Sequence, residues 1–144
     1  MEAVILAGGF GTRLATMVSD VPKPMAPVGG VPFLQYLMDY LHKQKITHVV
    51  MAVSYKREVI INYFRQDYCG IHIDYSVEEA PLGTGGAIKK ALSLCQEKRV
   101  FILNGDSFLD ADLSVLRQQA EQTDSVVSIV LKAMENFDRY GTVE

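Results

Sequence analysis

Leu6-Ala7-Gly8-Gly9-Phe10-Gly11-Thr12-Arg13-Leu14 is the stretch that decides the fold, because it places a glycine-rich turn with one cation directly behind a short apolar strand, Glu2 to Ala7. A run of that kind suits a strand buried on both faces of a parallel sheet. Glycines let backbone N–H groups approach phosphate oxygens closely, and Arg13 adds a planar, permanent charge with paired donors. The loop therefore reads as a triphosphate cradle. A dinucleotide fingerprint would need glycine in place of Leu14 and an acidic residue where Ser54-Tyr55 end the second strand. A P-loop would close with Gly-Lys-Ser/Thr, whereas this loop closes with Gly11-Thr12-Arg13. The plain alternative is a glycine turn that binds nothing, and the rest of the sequence argues against it.

Outward from the cradle, the chain alternates helices and strands. A proline-punctuated loop runs to Gly30, followed by a helix from Pro32 to Lys45 with Phe33, Leu34, Leu37, Met38 and Leu41 on one face. A strand is expected over His48–Val53, a helix over Arg57–Gln66 and a strand over Ile71–Val77. Glycines 83, 85 and 86 open a helix to Cys95, and Val100–Leu103 is a fully apolar strand, read as buried, that ends in Asn104-Gly105-Asp106. Asp112 caps a helix to Gln122, and Ser125–Leu131 is expected as a fifth strand. This pattern predicts an α/β fold, a three-layer α/β/α sandwich with a mostly parallel sheet and right-handed crossovers.

Composition describes one domain over residues 1–144, with 49% hydrophobic residues, enough for a single core. The formal net charge of −3 and the scattered basic residues exclude the broad positive face of a nucleic-acid binder. Cys69 and Cys95 fit neither a disulfide framework nor metal-ligand spacing. The first strand starts at Glu2, leaving no room for a signal peptide, and no apolar run reaches membrane-spanning length, so a cytoplasmic location without membrane contact is expected. Oligomeric state is not legible, and a homo-oligomer stays open.

In open parallel sheets, ligands bind past the carboxyl ends of the strands near the topological switch point. That rule gathers the cradle, the second glycine loop and Asp106 along one edge. A loop aspartate after a strand can be a mere cap or turn, but beside a phosphate cradle it suits Mg²⁺, which takes one or two carboxylates plus phosphate oxygens and waters. Asp110 and Asp112 read as turn and cap residues. Lys23, held in Pro22-Lys23-Pro24, projects from a stiff segment and can serve as a second phosphate contact rather than an idle surface charge. His42, His48 and His72 fall on helix or strand positions and are assigned structural roles.

Leu6 to Leu14, Pro22-Lys23-Pro24-Met25, Glu78 to Ala87 and Asn104-Gly105-Asp106 together resemble the ordered motif set of sugar-1-phosphate nucleotidyltransferases. The resemblance implies a Rossmann-like fold and transfer of a nucleoside monophosphate from a nucleoside triphosphate to a sugar 1-phosphate, with release of pyrophosphate. It implies that Leu6, Gly8, Gly9, Gly11, Thr12 and Gly83 line the nucleotide, that Arg13 neutralises the departing pyrophosphate, that Lys23 holds the α-phosphate and that Asp106 carries Mg²⁺. Arg139-Tyr140-Gly141 resembles the segment where the family begins to contact its sugar, with the Gly141 backbone as the matching contact. Such chemistry aligns two anions and cancels their charge, and needs little side-chain acid–base work.

Pyrimidine-using relatives typically carry a glutamine before the second glycine loop, where this chain has Glu78. Guanine presents adjacent N1–H and N2–H₂ donors that a carboxylate can accept together, which favours GTP. Within the family the spelling is most similar to guanylyltransferases acting on D-glycero-α-D-manno-heptose 1-phosphate, with mannose 1-phosphate enzymes close behind, and the resemblance implies precursors of bacterial surface polysaccharide. The family continues beyond the position of Glu144 with a further phosphate-binding lysine and a second metal-binding aspartate, so the sheet is expected to be incomplete at its C-terminal end. The alternatives are a nucleotide-sensing module without turnover, a dTTP, UTP or CTP enzyme, and a transferase with a different acceptor.

Overall fold

The computed structural model describes residues 1–9 and 21–133. The chain divides into two compact units, Met1–Leu109 and Asp110–Glu144. The first is built on a five-stranded sheet whose strands, in chain order, are β1 (Glu2–Leu6), β4 (His48–Val53), β5 (Asp67–Tyr68), β6 (Ile71–Val77) and β7 (Val100–Asn104). A separate two-stranded ribbon pairs β2 (Pro27–Val28) with β3 (Val31–Pro32). The helices of this unit are α1 (Phe33–Lys43), α2 (Arg57–Phe64) and α3 (Gly83–Leu92), with a 3-10 turn at Lys23–Met25.

The sheet order is β5-β6-β4-β1-β7. All pairs are parallel except β5 with β6, joined by a tight hairpin at Cys69 (φ 51°) and Gly70 (φ 82°). Two consecutive positive φ angles are the signature of the primed turns that match strand twist. From β1 the chain steps outward through β4 to β6, then returns past β1 to β7. The direction reverses between β1 and β7, and this is the switch point.

Right-handed crossovers put α1 and α2 on one face and α3 on the other. The contacts agree: Tyr63 of α2 donates to Gln35 of α1, and Tyr68 donates to Asp39 of α1 at 2.8 Å. On the opposite face Ala87 and Ala91 of α3 pack on Val4, Val50 and Ala52, with Leu6, Cys95 and Val100 at the margin. Small alanines let the helix lie close on β-branched strand residues. In α1 the buried residues Leu34, Leu37, Met38 and Leu41 recur with helical period, as the sequence predicts. The helix stops at Lys43, short of the expected Lys45, which takes φ 60°.

Other helix ends also retreat. Arg65 at φ 56° closes α2 before the expected Gln66, and α3 ends at Leu92 rather than Cys95. Ala7 lies one residue past β1 yet still donates to the Ala52 carbonyl at 2.8 Å. Two expectations need larger correction. First, β7 is half-exposed, with Ile102 at 41%, because it is the sheet's outer strand and among the described residues nothing pairs with its free edge. Second, Ser125–Leu131 is not a strand. Its apolar side chains stand in solvent, Val126 at 99%, and an extended segment without a ladder partner has nothing to hold it as a strand.

The second unit contains α4 (Leu113–Gln122). Asp112 is its N-cap as expected, accepting from the amides of Ser114 and Val115 at 2.9 and 3.3 Å.

Candidate nucleotide site at the switch point

The sequence-assigned residues in the described part of the chain gather past the carboxyl ends of β1, β6 and β7. The junction of β1 and β7 is unusually close. The Gly105 amide donates to the Leu6 carbonyl at 2.9 Å, and a Cβ on Gly105 would lie 3.0 Å from that same oxygen and 3.2 Å from Ile5 Cγ2. Only glycine fits there without displacing the backbone of β1. Gly105, the middle residue of Asn104-Gly105-Asp106, serves this close approach. The Leu6 carbonyl is thereby occupied, and its side chain joins the α3 face of the core.

Gly105 delivers Asp106 to the crevice, where its carboxylate accepts from the Lys23 ammonium. Both side chains are 37% exposed, so the pair sits at the lip of the site with access to water. Lys23 opens the 3-10 turn, and Pro24 and Met25 behind it are buried, which anchors the segment from which it projects. Two groups of opposite charge, assigned separately to phosphate and metal, are thus brought together.

Glu78 makes the second gathering. It follows β6, its amide bonds the Val53 carbonyl at 2.9 Å, and it is only 9% exposed. Its Oε2 accepts from the Leu82 amide at 3.2 Å, while Oε1 lies 3.2 Å from where a Cβ on Gly8 would stand. The carboxylate thus bonds the segment that opens the second glycine loop and lies beside Gly8 of the first. The neighbouring Glu79 is different, an exposed group paired with Arg57 at 3.3 Å. Ser54, past β4, closes the other side of Gly8, with its Cβ 3.3 Å from the same virtual position. It carried no site signal in the sequence beyond its place at the end of a strand.

Gly83 begins α3 with φ +68°, a left-handed conformation that strains other residues. The N-cap Leu82 supplies no side-chain acceptor, so the first amides of α3 are left without a cap from that side chain at the ligand-binding edge. Such an end attracts anions. Gly9 has open space around its Cβ direction. Gly11, Thr12, Arg13 and Gly141 lie outside the described residues.

Asp106 offers the kind of donor a hard divalent cation takes, a carboxylate partly open to solvent, and Lys23 would give up its pairing when the ion binds. Among the described residues no helix is long and apolar enough to cross a membrane.

Comparison with known proteins identifies the family. Residues 2–144 match the nucleotidyl transferase family model. The D-glycero-α-D-manno-heptose 1-phosphate guanylyltransferase of Campylobacter jejuni is 51% identical over 143 residues, covering 99% of this chain and 62% of that protein. A mannose-1-phosphate guanylyltransferase of Mycobacterium tuberculosis is 39% identical, with 99% of this chain matching 40% of its length. Among solved structures, HddC from Yersinia pseudotuberculosis complexed with GMP-PN superposes with a TM-score of 0.75 at 38% identity, over 83% of this chain and 53% of that one. The chain thus spans less than two thirds of these relatives. With a family model matched over nearly its whole length, the chain belongs to the nucleotidyl transferase family.

Proposed function

We propose that this chain is the nucleotide-binding part of a sugar-1-phosphate guanylyltransferase, which transfers GMP from GTP to D-glycero-α-D-manno-heptose 1-phosphate or a related mannose-type sugar phosphate. The observation that carries the reading is the pairing of Lys23 with Asp106 at the switch point, beside a β1–β7 junction that only Gly105 permits. The names of the relatives at 51% and 39% identity support the guanylyl and sugar assignments.

In this reading a phosphate oxygen of the sugar attacks the α-phosphorus of GTP, the bond to the bridging oxygen breaks, and pyrophosphate leaves with the electron pair. The acceptor is already ionised, so no side chain needs to remove a proton. Lys23 leaves Asp106 for the α-phosphate and cancels charge as the two anions meet. Asp106 would hold Mg²⁺, which, when bound, neutralises phosphate charge. Arg13 and the glycine cradle receive the β- and γ-phosphates, and the Gly141 backbone meets the sugar. Glu78, held rigid by the Leu82 amide, presents acceptor lone pairs to the N1–H and N2–H₂ edge of guanine. The product, a GDP-sugar, suits a cytoplasmic supply of surface-polysaccharide precursor.

The test is calorimetric titration with GTP, dTTP, UTP and CTP in the presence of Mg²⁺, followed by a pyrophosphate-release assay with heptose and mannose 1-phosphates. Selective GTP binding is expected. Preference for a pyrimidine nucleotide would overturn the guanylyl assignment, and binding with no pyrophosphate release from the chain extended to its relatives' length would make it a sensing module.

A further inference from the structure

The opposite end of the sheet holds a second polar cluster that the nucleotide reading does not use. Parallel register aligns Glu2, His48 and His72 in one row across β1, β4 and β6, and Asp74 follows His72 by two positions on the same face. Glu2, His48 and His72 lie at the amino ends of their strands and Asp74 midway along β6, whereas Asp106 and Glu78 lie past the carboxyl ends. Their strand positions alone predict structural roles for His48 and His72.

Glu2 is only 5% exposed, and its Oε2 accepts the amides of Gln96 and Glu97 at 2.8 and 2.7 Å. Its Oε1 lies 2.9 Å from His48 Nδ1. An ionised carboxylate can only accept, so Nδ1 carries the proton and the neutral ring presents a lone pair at Nε2. That nitrogen faces another acceptor, Asp74 Oδ2, at 3.1 Å. The other carboxylate oxygen, Oδ1, lies 3.6 Å from His72 Nε2. Lone pairs aimed at one another need a cation between them, either a second proton on His48 or a metal ion.

The spacing suits the metal. Tetrahedral coordination with bonds of about 2.0–2.2 Å sets ligand atoms roughly 3.3–3.6 Å apart. His48, His72 and Asp74 each offer a ligand atom within 4.8 Å of the others. Drawing the three donors from within 4.8 Å to coordination spacing takes movement of the His72 ring, now stacked on His48 at 5.4 Å, and that side chain is 61% exposed. A cleft of about 350 Å³ bounded by these residues with Thr47, Gln96 and Glu97 leaves an open position for water. A carboxylate on the far nitrogen of a ligating histidine is the usual outer support of such a site, and Glu2 supplies it.

We propose that His48, His72 and Asp74 bind a borderline divalent metal of the zinc type, with Glu2 as positioning residue, at a site separate from the nucleotide crevice. Two imidazoles select such ions over Mg²⁺, which prefers an all-oxygen shell.

The experiment titrates the full chain carrying Cys69→Ser, which removes an exposed thiol, with Co²⁺ near neutral pH and follows the visible absorption of the bound ion. Uptake of one Co²⁺ per chain is expected, displaced by Zn²⁺ and insensitive to excess Mg²⁺. His72→Gln, at an exposed position, should weaken uptake at least tenfold with unchanged circular dichroism, and Glu2→Gln should weaken it about 10–100-fold. Asp106→Asn should leave it intact, which separates this site from the nucleotide metal. Absence of Co²⁺ and Zn²⁺ uptake at micromolar metal by the folded chain, or uptake unmoved by both His72→Gln and Asp74→Asn, would overturn the proposal and leave a proton on His48 as the bridging charge.

Discussion

Gly105→Ala is the perturbation that separates structural from ligand-binding glycines most sharply. The added methyl would lie 3.0 Å from the Leu6 carbonyl oxygen, 3.2 Å from Ile5 Cγ2 and 3.4 Å from Ala7 Cβ. The nearest of these is backbone that also accepts the Gly105 amide at 2.9 Å, so it cannot retreat without loosening the β1–β7 ladder. Overpacking of a tight site costs about 1–3 kcal/mol. For a unit near a hundred residues, roughly 4 °C per kcal/mol converts that into a fall in Tm of about 4–12 °C. Gly9→Ala is the matched control, because its methyl would meet nothing within 4 Å. It should keep Tm, or raise it slightly by restricting the unfolded chain, yet weaken GTP binding if phosphate approaches that backbone. Thermal unfolding by circular dichroism and calorimetric titration with GTP read both effects. Equal Tm for Gly105→Ala and wild type would refute the claim that this junction admits only glycine.

Three further outcomes are expected. Asp106→Asn should change stability by less than about 1 kcal/mol, since the Lys23 pair is half-exposed, while abolishing the Mg²⁺ dependence of GTP binding; dependence that survives intact removes Asp106 from the metal site. Glu78→Gln should lower the preference for GTP over UTP at least tenfold, measured by competitive titration, and unchanged selectivity would release Glu78 from base recognition. Hydrogen bonds from the Ser114 hydroxyl and the Val115 and Ser114 amides hold the Asp112 carboxyl below its ordinary 3.8, so its contribution to α4 is complete above that value and lost as pH falls through the lower folded-state value. Asp112→Asn keeps a cap and should flatten that acid dependence of helicity in a circular dichroism titration, and an unchanged acid limb would count against the cap.

The alternation of apolar runs and amphipathic stretches was sufficient to place β1, β4, β6, β7 and four helices, and Asp112 announced its helix through its own short side chain. These are local signals. Periodicity and capping act over a few residues, so a single sequence displays them. The apolar composition of Val100–Leu103 and Ser125–Leu131 was equally visible, yet it misled about burial and pairing. Whether an apolar run becomes a buried strand depends on which neighbours flank it, and that information lies elsewhere in the chain.

The glycine cradle, Lys23, Glu78, Gly83 and Asp106 could all be named from motif order, which pointed to a phosphate-bearing ligand and to the edge of the sheet past the carboxyl ends of the strands. Only the tertiary structure decided that Lys23 and Asp106, 83 positions apart, form a pair, that Glu78 is buried between two glycine loops while Glu79 faces solvent, and that Gly105 is a steric necessity. It also turned three residues with no common motif, His48, His72 and Asp74, into one cluster. The reason is register: parallel pairing fixes which distant side chains share a row, and a slip of one residue would send each to the opposite face. The sequence by itself determined the main strands and helices and pointed to a phosphate-bearing ligand, and the register of the sheet decided which side chains meet.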